Sequence, residues 1–210
     1  MSSTIAWQLG AFVFYFLYGS FFEWAFHKHL FHSPKYIKAT FKAHALVHHQ
    51  IYKYEPSSYE WRDGKDQDKE HITMDWFALP LFVGVHLPIF YLIEYVTKIP
   101  SMWGGIAAIS AYYFVYEYFH YCMHVPNGRA FERSGVFKYA KEHHRIHHKH
   151  MQQNLNVYFP LADKILGTYR SVKSMTPAVA ASEAVVNSER SLGDVSPLKM
   201  RKKAKTYSGE

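Results

Sequence analysis

The chain has 210 residues, 49% of them hydrophobic and 18% aromatic, with a formal net charge of +7 when histidine is neutral. One cysteine, Cys122, excludes an internal disulfide framework and a Cys-rich zinc site. The basic balance admits nucleic acid or an anionic membrane as partner, and long apolar blocks favour the membrane. The mean hydropathy of -0.23 averages those blocks with polar, histidine-rich ones.

A bilayer crossing needs about 20 mostly apolar residues. Residues 4–26 supply the first such block, broken only by Gln8, Ser20 and Glu23. It has no basic start and no small-residue cleavage site, so it does not read as a cleaved signal. His27 and His32 follow at once, then His44, His48 and His49. Residues 50–73 are polar and read as a loop with short helices. Residues 74–96 form the second block, in which neighbouring helices must satisfy Pro80, His86 and Pro88. A short loop at Lys98–Ser101 leads to the third block, residues 102–119, which opens on Gly104 and Gly105 and contains Glu117. His120 and His124 come next, then His144, His147 and His148.

Three crossings put both histidine clusters on one side of the membrane. That side carries Lys28, Lys35, Lys38, Lys42, Lys53, Arg62, Lys65 and Lys69, then Arg129, Arg133, Lys138, Lys141, Arg145 and Lys149, against Lys98 alone on the other. The positive-inside tendency makes it cytosolic. From residue 174 the chain turns to Ser, Ala, Val and Lys. The expected division is a membrane-embedded unit, 1–173, and a disordered basic tail, 174–210, whose Arg201–Lys205 run suits anionic headgroups. The expected fold is all-α: an integral-membrane, multi-pass helical bundle with a cytosolic, histidine-rich helical cap. No nucleic-acid role is expected.

The histidines carry the chemistry. There are 15, and neutral imidazole is the commonest metal-binding side chain. Residues three or four apart share a helix face, so His44 with His48, His120 with His124, and His144 with His147 and His148 can each converge. His27 and His32 lie about 140° apart on a regular helix and need a bend or a helix end. A structural zinc takes four ligands, and about ten are on offer, so two metal ions are the economical reading. All-imidazole ligation suits iron, zinc, copper or nickel. Neither the zinc-protease H-E-x-x-H nor the Glu-rich pattern of soluble di-iron bundles is present.

The order His27–His32, His44–His49, His120–His124 and His144–His148 resembles the fatty acid hydroxylase and sterol desaturase superfamily. That family's boxes are HxxxxH or HxxxH, HxxHH or HxxxHH, HxxxH, then HxxHH. Asn154-Leu-Asn156 and Pro160-Leu-Ala-Asp163, with Gly167-Thr168-Tyr169, resemble the family's close. The resemblance covers about residues 10–170. It implies two metal ions, iron in the family, with dioxygen as co-substrate and a lipid as substrate. The ligands it implies are His27, His32, His44, His48, His49, His120, His124, His144, His147 and His148. The second box has one residue more than HxxHH, which leaves the assignment of His44 or His49 open, and His29 and His143 are extra candidates that could substitute for a neighbour. Glu23 and Glu117 are placed to bond a ligand's second ring nitrogen, with Asn156 and Asp163 as further supports. His86 reads as a packing residue and so does Cys122. No Gly-rich nucleotide motif appears, so electrons are expected from a separate carrier of ferredoxin or cytochrome b5 type. The leading expectation is hydroxylation of a fatty acyl, sterol or carotenoid C–H bond. The alternatives are desaturation and metal binding without catalysis. Ten paired histidines exceed the one or two axial ligands of a haem protein.

Overall fold

The computed structural model describes residues 2–61 and 71–171. All regular structure among them is helical. The chain opens with α1 (Ser2–Phe26), which runs on into a π-helical segment, His27–Phe31. Next come α2 (Lys38–Phe41), a second π-helical segment (Lys42–His48) and α3 (His49–Ile51). A short α4 (Pro56–Tyr59) precedes two long helices, α5 (Ala78–Thr97) and α6 (Met102–His124). A 3-10 turn, Ala130–Arg133, leads to α7 (Gly135–Lys149), and α8 (Leu161–Ile165) follows. The described residues up to Arg170 form one compact unit. The expected tail, 174–210, and the stretch 62–70 lie outside the described residues.

Three long helices make the bundle. The buried stripe of α5 is Ala78, Phe82, His86 and Phe90, one residue per turn. Much of the rest of α5, including Leu81, Val85, Leu92 and Val96, is exposed. Phe90 is fully buried, and Tyr15 of α1 meets its ring edge-on at 4.6 Å. His86 is satisfied within this stripe: Nδ1–H donates to the Phe82 carbonyl (2.6 Å) and Nε2 accepts from the Tyr18 hydroxyl (3.2 Å).

Two stretches, Ser3–Phe31 and Ala78–Thr97, are long and apolar enough to cross a membrane. The third expected block lies in α6, which has the length, 23 residues, but not the apolar composition of the other two. The physical reason is its position. α6 packs against both α1 and α5, so much of its surface faces protein and tolerates glycine and tyrosine. Gly104 lets α1 come close: a Cβ there would sit 2.2 Å from the Gln8 carbonyl oxygen. The Gly104 N–H donates to the Gln8 side chain at 2.6 Å. At the turn before α6, Lys98 takes a left-handed conformation, and Glu94 accepts from the N–H groups of Ser101 and Met102. α1 and α6 therefore run in the same direction and deliver their C-terminal histidines to one end of the bundle.

Below that end lies a second core, built from Tyr59, Tyr116, Cys122, Met123, Phe137, Ala140 and Val157. Cys122 is a packing residue there, fully buried. α7 starts at Ser134, whose hydroxyl accepts from the Phe137 N–H, and its inner face brings His144, His147 and His148 under the bundle.

Candidate metal centre

The ten histidines that the resemblance picks out come together in two groups of five. One holds His27, His32, His44, His49 and His147; the other holds His48, His120, His124, His144 and His148. Within each group the available ligand atoms all lie within 4.8 Å of one another, and neither group contains a carboxylate. No histidine of the ten is more than 9% exposed. The groups are neighbours, with the rings of His49 and His148 stacked at 4.2 Å.

The division follows helix geometry. His27 and His32 converge because the backbone between them is π-helical, and the His32 N–H donates to the His27 carbonyl five residues back (3.0 Å). That turn takes the place of the bend the sequence requires. The π segment Lys42–His48 does the same for His44 and His49, whose Nε2 atoms are 3.1 Å apart. His44 and His48, expected to share one ion at α-helical spacing, instead serve different groups. On α7 the turn is regular, so His144 and His148 pair (Nε2 to Nε2 3.0 Å) and His147 reaches across to the other group. Each half of the chain thus gives four histidines to one group and one to the other. The extra residue of the second box is the one the π turn absorbs; π turns of this kind concentrate at functional sites.

Backbone carbonyls orient the rings. Nδ1–H of His27 donates to Leu155 and that of His147 to Gln153, on either side of Asn154. Nδ1–H of His48, His124 and His148 donates to the carbonyls of His71, Tyr59 and Tyr52. The turn around Asn154 thus orients the first group, and the carbonyls of Tyr52, Tyr59 and His71 the second. These bonds fix the tautomer and leave Nε2 with a lone pair, the form that binds metal.

The first group also fits a cation better than a hydrogen-bond network. Its Nε2 contacts are His27–His44 at 2.9 Å, His27–His32 at 3.2 Å, His32–His147 at 3.0 Å and His44–His49 at 3.1 Å. The Nε2 atoms of His27 and His147 can only accept, so no choice of tautomers makes more than two of the four contacts linear N–H···N bonds. Two nitrogens each about 2.1 Å from one metal ion and at right angles would be about 3.0 Å apart. In the second group, Nε2 of His48, of His120 and of His124 is buried without a hydrogen-bond partner, as a lone pair awaiting a cation would be.

Burial keeps the imidazoles neutral. It pushes His32 down to about 2 and His147 to about 4, with the neighbouring ring of His147 adding to the effect on His32. His44, His48, His49, His144 and His148 are all pushed well below the usual histidine range, by burial first and by neighbouring imidazoles second. Neutral rings release no proton when they bind metal, which favours binding at ordinary pH.

The carboxylates act one step further out than the sequence suggests. Glu23 bonds no histidine. Its oxygens accept from the Tyr112 hydroxyl (2.6 Å), the Asn156 amide (2.9 Å) and the Val157 N–H (2.7 Å). It thereby anchors the loop that offers Leu155 to His27. Asp163 holds the same loop through the N–H groups of Leu155 and Asn156, and it accepts from Thr168 and from His143. Asn156 closes the network onto the Ser20 carbonyl. Glu117 accepts from the Met74 N–H, on the loop that offers His71 to His48. His143, a substitute ligand by sequence, lies outside both groups, bound to Asp163 and stacked on Tyr169 at 5.5 Å. His29 is exposed, beside Trp24 and Tyr36. The five accepting carbonyls had no sequence signal, since any residue carries that group. Asn154 is the partial exception: its left-handed backbone, φ 53°, turns the loop so that carbonyls on both sides meet histidines.

An apolar slot runs from the first group up between α1, α5 and α6. A wider cleft adjoins it and touches His44 and His120, one residue from each group. The two share Phe26, Phe31, Met74, Phe82 and Tyr116.

Residues 12–168 match the family model described as fatty acid hydroxylase. No curated protein and no solved structure matches the chain. With four histidine boxes meeting at the end of an apolar helical bundle, and with the family match spanning most of its length, the chain belongs to the fatty acid hydroxylase family.

Proposed function

We propose that the protein is a membrane-bound lipid hydroxylase whose two histidine groups each hold one iron ion. The observation that carries the reading is the meeting of ten buried histidines, in two groups of five, at the end of an apolar slot. The ions would supply activation of dioxygen beside an unactivated C–H bond. The balance is R–H + O₂ + 2 electrons + 2 protons → R–OH + H₂O, with the electrons from a separate carrier protein.

The chain's own residues have three tasks. The carbonyls of Leu155, Gln153, His71, Tyr59 and Tyr52 hold the imidazoles in the tautomer that binds metal. The rings of Phe26, Phe31, Phe82 and Tyr116 exclude water from the space between the histidines and the lipid. Glu23, Asn156 and Asp163 keep the supporting loop in place. The long helices cross the bilayer three times in this reading, α6 being the third, with the histidines on the cytosolic face beside the Lys- and Arg-rich segments.

The test is mass spectrometry of total lipids from cells expressing the wild type or His148→Ala. The expected result is a species with one added oxygen in the wild type alone. A species lacking two hydrogens would replace hydroxylation by desaturation, and identical lipid profiles would refute both.

A further inference from the structure

The slot beside the histidines has a floor. Gly19 and Tyr112 meet at its far end, with Ile109 beside them on α6: a Cβ on Gly19 would lie 2.6 Å from the Tyr112 ring, and Tyr112 is held by Glu23. Glu23 is the one carboxylate in the lining. Its oxygens are taken by Tyr112, Asn156 and Val157, so the slot presents hydrocarbon to its occupant. Its depth can be read from the helices. Gly19 stands eight residues before His27, and Tyr112 eight before His120, on helices that run in the same direction. Eight residues of α-helix span about 12 Å.

The width is limited as well. The Phe22 and Phe26 rings of α1 meet Phe82 of α5 at 5.4 and 4.9 Å. The open strip is what remains between these rings and Ile109, Tyr113 and Tyr116 of α6. The other end is different. The wide cleft at His44 and His120 has Thr40, Thr73 and Asp75 in its lining. Beside it Trp76 is 86% exposed and Phe77 half exposed, as aromatic side chains at a membrane–water boundary are.

We propose that the slot is a measuring pocket for one flexible lipid chain, entered tail first. The methyl end sits on Gly19 and Tyr112, and the polar headgroup stays at the rim of Thr40, Thr73 and Asp75. The carbon presented to the histidines then lies about 12 Å from the buried end. Which carbon is oxidised rests on the hydroxylase reading, whereas selection of the chain by length does not.

The test uses the full-length, metal-loaded protein in lipid nanodiscs, with saturated fatty acids of graded length as probes and native mass spectrometry as the binding readout. Gly19→Leu raises the floor. Ile109→Trp narrows the same end without the Tyr112 clash, should the first variant not fold, and Ile109→Ala deepens it. The preferred chain should shorten in the first two and lengthen in the third. Relative binding should change by about tenfold for each methylene of misfit. In cells, the oxidised carbon should move toward the methyl end in the first two variants and away from it in the third. A shift in chain preference with no oxidised lipid from any form would uphold the measuring pocket and defeat the hydroxylase reading. Unchanged length preference and unchanged oxidation position in folded variants would overturn the pocket. So would wild-type preference for a fused-ring lipid over every straight chain.

Discussion

Replacing Glu23 by glutamine should loosen one half of the metal centre and spare the other. The carboxylate accepts three buried hydrogen bonds, from Tyr112, Asn156 and Val157. An amide oxygen in the Oε2 position keeps the first two and turns an NH₂ toward the Val157 N–H. A buried donor left unpaired costs about 1–3 kcal/mol. The Leu155 carbonyl lies two residues before Val157 and takes the Nδ1–H of His27, so the loss falls on the first group. Loss of such an orienting partner lowers metal affinity about 10–100-fold, which is about 1.4–2.7 kcal/mol and agrees with the cost of the broken bond. Glu23→Ala removes the acceptor of all three bonds, leaving Tyr112 and Val157 unpaired and Asn156 with the Ser20 carbonyl alone, and should cost about 3–9 kcal/mol of stability on the same scale. The second group draws its carbonyls from Tyr52, Tyr59 and His71 and should not respond. The assay is chelator titration of the metal-loaded protein with metal counted by mass spectrometry. Glu23→Gln should release one ion per chain at about tenfold lower chelator than the other. Simultaneous release of both ions, or a wild-type curve from a folded variant, would refute the reasoning.

Three further outcomes are expected. Deleting Leu46, which is exposed within the second π segment, should convert the segment to the α-helical spacing of His144–His148 and keep both ions bound; deleting Arg145 from α7 should lose metal from both groups. Metal analysis of the two proteins checks this, and loss in the Leu46 deletion would contradict it. In the metal-free protein, His32 at about 2 and His147 at about 4 stay neutral while the unfolded chain takes up protons below about pH 6.5. Their contribution is therefore full above that pH and is lost as pH falls toward the folded values, by roughly 2 kcal/mol per group at pH 5. Denaturant midpoints at pH 7 and pH 5 should differ accordingly, and equal midpoints would count against neutral buried rings. Gly104→Ala should destabilise the α1–α6 contact by about 1–3 kcal/mol or more, since its Cβ would meet the Gln8 backbone; an unchanged thermal midpoint would show that the helices do not pack as described.

Much of this site was legible in the sequence because imidazoles at three- to five-residue spacing betray their shared direction. His120 and His124 needed only α-helical geometry to be read as a pair. The assignment of His44 and His48 to different groups was not legible, because the turn between them is π-helical and no residue type announces an i→i+5 bond. Glu23 and Glu117 were legible as carboxylates near histidines. Their contacts were not, since each acts through a loop whose carbonyl does the orienting. α6 was readable as a long helix but not as the bundle's shared wall, where contact with α1 and α5 relaxes the demand for an apolar surface. His86 was readable as a packing residue, because nothing at helical spacing joined it to another ligand.

Counting metal in the purified protein tests the account most directly. Iron should be present at two ions per chain in the wild type, one for each histidine group. His32→Ala should lower the count by removing a ligand from the first group, and His124→Ala by removing one from the second. A folded wild-type protein that binds fewer than two ions after anaerobic loading with ferrous iron would contradict the two-group centre. So would folded variants that keep the full count.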